Sequence, residues 1–152
     1  MIIVLDSVFK SIDSISEFLP AFPENDTWFE PGTYQFIDKI IDIASKYFDM
    51  PGYIGYEMHK NTISLGYHHD KDEMLYATTG IFSFPLCSIV YYPHIQNLRG
   101  GELRFEDVTI KPITNRLVMF ESSLPHLVAE HTGTRISIGI NPWKEKPLAY
   151  RT

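Results

Sequence analysis

PLCSIVYYPHIQNLRGGELRFEDVTIKPITNRLVMFESSLPHLVAEHTGTRISIGI, residues 85–140, breaks into short apolar runs separated by glycine, proline, asparagine and aspartate. Runs this short, rich in β-branched and aromatic side chains and evenly spaced, read as the strands of a sandwich or barrel. We expect strands over roughly 86–92, 102–105, 108–110, 116–120, 126–130 and 135–140. Upstream, 53–59, 63–68 and 74–79 read in the same way, behind the stop signal Met50-Pro51-Gly52. Before that stop, Tyr34, Ile37, Ile40, Ile41, Ala44 and Phe48 recur at three- and four-residue steps, an apolar stripe along a helix of about four turns. Asp38, Lys39, Asp42 and Lys46 lie mostly off the stripe, so this helix is expected to pack on the outside of a sheet. A strand over Ile2 to Leu5 and a short helix over Ser11 to Leu19, stopped by Pro20 and Pro23, complete the amino-terminal part. Helices ahead of a long series of strands imply an α+β, mostly β chain, and so many short antiparallel strands most economically close as a double-sheet jelly roll. We read 1–152 as one domain, with helical support over 1–52 and the jelly-roll core over 53–143. The segment Pro23 to Gly32, with Trp28, either caps the core or forms part of a lid.

Composition agrees with one folded unit. At 152 residues, 44% hydrophobic and 21% charged, the chain falls outside the disordered, collagen-like and coiled-coil classes. A formal net charge of −6 gives no broad basic footprint, so a small molecule or a peptide or protein substrate is the expected partner rather than nucleic acid. The only cysteine, Cys87, sits in an apolar run and reads as a small buried hydrophobe. The start MIIVLDSVFK lacks a basic region and its apolar run ends at Asp6, so no signal peptide is expected, and no stretch approaches the roughly 20 apolar residues of a membrane span. A reducing cytoplasm is the expected compartment. Oligomeric state is not legible.

Chemistry concentrates in Gly66-Tyr67-His68-His69-Asp70-Lys71-Asp72-Glu73. At a strand end, His68 and Asp70 point to one face and His69 to the other. An imidazole and a carboxylate on one face can hold a divalent metal, but a third ligand must come from elsewhere. Taken alone, the ordinary explanation of such a stretch is an exposed acidic turn. Downstream, however, Pro125-His126 opens one strand and Arg135 lies in the next, with Ser137 on the same face as Arg135. If His131-Thr132-Gly133 is a turn, these two strands are neighbours and Arg135 lies near the metal without touching it. His59, His94 and His131 have no carboxylate at ligand spacing and are expected to be solvated, as are Asp72 and Glu73.

His68-x-Asp70, Ile89-Val90-Tyr91-Tyr92, Gly100-Gly101-Glu102-Leu103, Pro125-His126 and Arg135 with Ser137 follow one another in an order that resembles the Fe(II)- and 2-oxoglutarate-dependent oxygenases. The prolyl-4-hydroxylase-like branch is the most similar. That resemblance, over about Tyr53 to Trp143, implies a distorted jelly roll (a cupin-like double-stranded β-helix) behind supporting helices. It implies His68, Asp70 and His126 as ligands of one catalytic Fe(II), a set that leaves three positions for a chelating 2-oxo acid and O2. Arg135 and Ser137 would hold the distal carboxylate of 2-oxoglutarate. Tyr92, or Tyr91 if the register slips by one, would add a phenol, and Tyr56 is a further candidate for contact with 2-oxoglutarate or substrate. Glu102 reads as structural. Asn141 stands six residues beyond Arg135, where the branch often carries a bulky aromatic and alkylation-repair demethylases a second arginine. Halogenating relatives lack the metal carboxylate, so Asp70 points to hydroxylation. The implied activity is a dioxygenase hydroxylating an unactivated C–H bond, most simply of a prolyl or other peptidyl side chain, with succinate and CO2 as coproducts and ascorbate as a stimulant. A free amino acid or small metabolite as acceptor, or a non-catalytic sensor on the same fold, are the alternatives.

Overall fold

A computed structural model of the chain describes residues 1–151. In chain order the elements are β1 (Ile2–Leu5), α1 (Asp13–Phe18), β2 (Thr27–Phe29), α2 (Gln35–Ala44), β3 (Gly55–Asn61), β4 (Leu65–His68), α3 (Glu73–Thr79), β5 (Ser88–Gly100), β6 (Leu103–Arg104), β7 (Thr109–Ile110), β8 (Leu117–Phe120), β9 (His126–Val128) and β10 (His131–Trp143). Two antiparallel sheets face each other, ordered β1-β8-β5-β10-β3-β2 and β4-β9-β6-β7. This is the mostly β jelly roll that the spacing of the apolar runs predicts.

The two faces of the large sheet do different work, and period-2 alternation assigns every residue to one of them. Tyr56, Met58, Ile89, Tyr91, Leu117, Met119, Ile138 and Ile140 pack against the stripe Ile37, Ile40, Ile41 and Ala44 of α2. Their neighbours in sequence turn the other way, and Tyr92, Val118 and Phe120 join Leu103, Phe105, Ile110 and Val128 between the sheets. The apolar stripe therefore covers one face of the sheet, and the opposite face is free to line a pocket. Cys87 is buried in the helix-side core, where burial pushes its thiol up to about 12 and keeps it unreactive.

Several local expectations change. Residues 73–79 form a helix, not a strand. The Asp72 side chain accepts from Leu75 N at 3.0 Å and Gly80 closes the other end with a φ of 74°, so both caps outweigh the apolar alternation. Asp72 is accordingly buried rather than solvated, and its second oxygen accepts from Leu148 N at 2.8 Å. Asp72→Ala is expected to lower stability by about 1–3 kcal/mol, read as a drop in urea midpoint, because both amides lose their acceptor. The segment 23–32 contributes β2, which pairs with β3 at the sheet edge, packs Phe29 against the helix-side core and brings Glu24, Asn25 and Asp26 to the cleft beside His68. The amino-terminal 52 residues thus supply two strands of the large sheet as well as helices. Finally, His131-Thr132-Gly133 is not a turn. β10 runs through it for 13 residues along β5, with a register shift between Thr132 and Thr134 that Gly133 relieves at a φ of 87°.

Candidate active site

Because β9 belongs to the small sheet and β10 to the large one, His126 and Arg135 are not on neighbouring strands; they face each other across the sandwich. His126 instead lies beside His68. β4 and β9 pair antiparallel with His68 directly opposite His126, which brings the ring centroids to 4.4 Å. The third group arrives from the turn after β4, where Asp70 Oδ1 lies 3.8 Å from each imidazole Nε2. One ligand atom from each of the three residues falls within a common 4.8 Å, close enough to share an ion. His69 points outward among Phe82 and Phe84.

The backbone sets the tautomers. His68 Nδ1 lies 2.7 Å from Gly66 O and His126 Nδ1 lies 2.9 Å from Leu124 O, so in each ring the Nδ1 proton is donated to a carbonyl and the Nε2 lone pair is left free. His126 is held between Phe105 and Phe120, and burial lowers its pKa, keeping it in the neutral form a metal requires. Asp70 is oriented by a network that spans three distant segments. Ser88 Oγ donates to Asp70 Oδ2 at 2.6 Å and Asn141 Nδ2 donates to the same oxygen at 3.2 Å. Ser122 and Asn141 in turn lie 2.8 and 3.2 Å from Ser88 Oγ. With Oδ2 occupied, Oδ1 faces the imidazoles. Neither Ser88 nor Ser122 stands out in the sequence, and Asn141 does so only as the residue in place of an aromatic.

Deeper in the same cavity stand Arg135, Ser137, Asn61, Leu103 and Val128. Arg135 is 2% exposed, donating Nε–H to Gly101 O at 3.0 Å and Nη1–H to Ser137 Oγ at 3.0 Å. Gly101 has a φ of 74°, and a Cβ there would meet Arg135 Cδ at 2.9 Å, so this glycine makes room for the guanidinium. Among the described residues no carboxylate pairs with Arg135. Burial pulls its pKa down, yet a guanidinium stays charged, and a buried cation without a counter-ion is a seat for an anionic ligand. Tyr92 lies with its ring 5.3 Å below the guanidinium, and its buried hydroxyl has no hydrogen-bond partner among the described residues. Tyr91 faces the helices and donates to Asn115 Oδ1 at 2.7 Å. Tyr56 does not enter the cavity: it shares the helix-side face with Met58 and stacks on Phe29, so it is set aside as a ligand contact. Alternation along β3 turns Glu57, His59 and Asn61 to the cavities instead.

His59 is therefore not a solvated histidine. Burial works against its charge, but the Asp26 carboxylate 2.8 Å from Nδ1 holds its pKa above the ordinary value. Glu57 accepts from Trp143 Nε1 at 2.9 Å and from the Tyr150 hydroxyl at 2.8 Å. Burial pushes its carboxyl from 4.5 up to about 7, against those donors and with help from Asp26 and Asp70. A raised carboxyl stabilises the fold fully below its unfolded value, and the benefit is lost as pH rises through about 7. Glu57→Gln has no charge to bury, so its melting temperature should gain on the wild type between about pH 5 and pH 8. An equal offset at both ends would contradict the assignment of the shift to burial.

The family model described as the 2OG-Fe(II) oxygenase superfamily matches residues 54–143. The chain belongs to that superfamily. It is a 2-oxoglutarate-dependent dioxygenase, and the match covers the cavity walls and all three metal-site residues. No curated protein sequence matches this oxygenase. Among solved structures, its fold is similar to a prolyl-4-hydroxylase from Pseudomonas putida, with 19% identity over 95% of this chain and 88% of that one and a TM-score of 0.64. A viral collagen prolyl hydroxylase from Paramecium Bursaria Chlorella virus-1 matches with 17% identity, 95% and 90% coverage and a TM-score of 0.63. A prolyl hydroxylase from Trichoplax adhaerens, in complex with a hypoxia inducible factor peptide fragment, gives 15% identity, 99% and 87% coverage and 0.57. At these identities the likeness speaks for the fold. No helix of the described residues is long and apolar enough to cross a membrane.

Proposed function

We propose that residues 1–152 act as one hydroxylase domain in which His68, Asp70 and His126 ligate Fe(II) and Arg135, Ser137 and Tyr92 hold the distal carboxylate of 2-oxoglutarate. The observation that carries this reading is the pairing of two unsatisfied features in one cavity: free Nε2 lone pairs beside Asp70 Oδ1, and a buried guanidinium without a counter-ion. Iron with 2-oxoglutarate and O2 supplies the oxidising chemistry. The protein's part is to present the Nε2 atoms of both imidazoles, to fix Asp70 through Ser88 and Asn141, and to clamp the distal carboxylate of the oxo acid. Apolar walls at Leu103 and Val128 exclude water from the clamp.

The net reaction is insertion of one O2 oxygen into a C–H bond while 2-oxoglutarate takes the other and leaves as succinate and CO2. A prolyl or other peptidyl side chain is the first acceptor to test. The free, buried Cys87 fits a reducing compartment such as the cytoplasm. With Fe(II), ascorbate and O2, the protein should convert 2-oxoglutarate slowly to succinate alone and faster with its acceptor, which gains about 16 Da. Uptake of metal and 2-oxoglutarate with no succinate above a metal-free control would make it a sensor instead.

Ser88→Ala and Asn141→Leu each remove one of the two donors to Asp70 Oδ2 without removing a ligand. Loss of such supporting hydrogen bonds typically weakens metal binding by about 10–100-fold. Anaerobic Co(II) titration should show that loss in both variants, and unchanged affinity would remove the network from the site.

A further inference from the structure

Between the anchor and the metal residues stands His59. On the cavity face of β3 and β10 the cross-strand pairs follow one another as rungs: Ser137 opposite Asn61, Gly139 opposite His59, and Asn141 opposite Glu57. Successive rungs on one face are about 7 Å apart. The first carries the anchor, because Arg135 Nη1 donates to Ser137 Oγ at 3.0 Å. The third carries the metal carboxylate, because Asn141 Nδ2 donates to Asp70 Oδ2 at 3.2 Å. His59 holds the middle rung and belongs to the walls of both the inner cavity and the outer cleft. Its place is built: a Cβ on Gly139 would meet His59 Cε1 at 2.7 Å, so the absence of a side chain there lets the imidazole lie across β10. Asp26, from the segment just ahead of β2, sets its Oδ1 2.8 Å from Nδ1, and Nε2 makes no hydrogen bond among the described residues. Burial works against a charge on the ring, but Asp26, and behind it Asp70 and Glu57, outweigh it and favour the imidazolium. With one N–H turned to Asp26, the imidazolium keeps a second for a ligand. Arg135 is the one lysine or arginine on the wall of the inner cavity, and a dicarboxylate has two anionic ends to seat.

Resting on the cosubstrate site proposed above, we infer that His59 is a second contact for 2-oxoglutarate, donating from Nε2 to the carboxylate at the metal end, and that Asp26 is the positioning residue that holds the ring. The amino-terminal segment thereby reaches the cosubstrate through one imidazole.

The test is titration of the Mn(II)-loaded protein with 2-oxoglutarate and with oxalate, which carries only the chelating end. His59→Phe should weaken both by about 10-fold or more, the usual loss for a hydrogen bond to a charged group. His59→Gln, which keeps an N–H donor without the charge, should lose less. Arg135→Ala should lose far more affinity for 2-oxoglutarate than for oxalate, which tells the two ends apart. The Asp26 side chain is 52% exposed, so Asp26→Asn makes no demand on the core. Without that carboxylate the ring gives up its proton at a lower pH. Relative to wild type, the loss for oxalate in Asp26→Asn should therefore be small near about pH 6 and approach that of His59→Phe near about pH 8. A purely structural role would give an offset that does not change with pH. Equal oxalate affinity in wild type and His59→Phe, a loss confined to 2-oxoglutarate, or a loss in Asp26→Asn that does not grow with pH would each overturn the inference while the cosubstrate site stands. If the wild type binds neither 2-oxoglutarate nor oxalate, the cosubstrate site falls and this contact with it.

Discussion

His68→Ala is expected to abolish Fe(II)-dependent turnover and to weaken divalent metal binding by about 100-fold or more, since one of the three proposed protein ligands is lost. His126→Ala should do the same, but the two variants differ in what else they disturb. His68 is one-third exposed, so its truncation should leave the melting temperature of the metal-free protein nearly unchanged. His126 is 4% exposed and wedged between Phe105 and Phe120, so alanine there opens a cavity and destabilises the fold by about 2–4 kcal/mol besides removing a ligand. Anaerobic metal titration alongside thermal melts separates the two effects. Full activity in either variant would refute the metal assignment.

Arg135→Ala should raise the dissociation constant for 2-oxoglutarate by about 100-fold or more, because a buried carboxylate would lose its two-pronged charged partner. Arg135→Lys should recover part of this, as a point charge reaches the carboxylate but cannot form the fork and leaves Gly101 O without its donor. Tyr92→Phe, which removes only the unpartnered hydroxyl, should cost less. A second readout guards against misfolding: 2-oxoglutarate with Mn(II) should raise the melting temperature of the wild type and fail to raise that of Arg135→Ala at the same concentration. Equal affinity in wild type and Arg135→Ala would end the assignment.

Local periodicity carried much of this. The three- and four-residue steps of Ile37, Ile40, Ile41 and Ala44 define the face of α2 that the sheet covers, and alternation along β10 places Ser137 with Arg135, whereas Asp70 reaches His68 from the turn beyond the end of β4. Where two local signals competed, periodicity alone was insufficient. The run 74–79 passes for a strand, yet Asp72 and Gly80 cap Glu73–Thr79 as a helix, and those caps were written in the sequence. Glycine was ambiguous in the same way: Gly133 reads as a turn, but a left-handed residue also accommodates a bulge inside a long strand, and only pairing with β5 distinguishes them.

The sequence by itself determined the strand-rich class and the helix face, and the order of its motifs carried the family resemblance from which the proposed metal and anchor residues follow. The class and the helix face are properties of neighbours along the chain, set by side-chain periods of 2 and 3.6 residues. Only the tertiary structure decided that β9 pairs with β4 rather than β10, setting His126 opposite His68, and that Ser88, Ser122 and Asn141 converge on Asp70. It likewise decided that Tyr92 lies between the sheets beside Arg135 and that Glu57 lines the outer cleft, while Tyr91 and Tyr56 face the helices. Alternation says that adjacent residues point to opposite faces, but which face becomes the pocket depends on where α2 and the small sheet dock, and that is fixed by contacts between residues far apart in the chain.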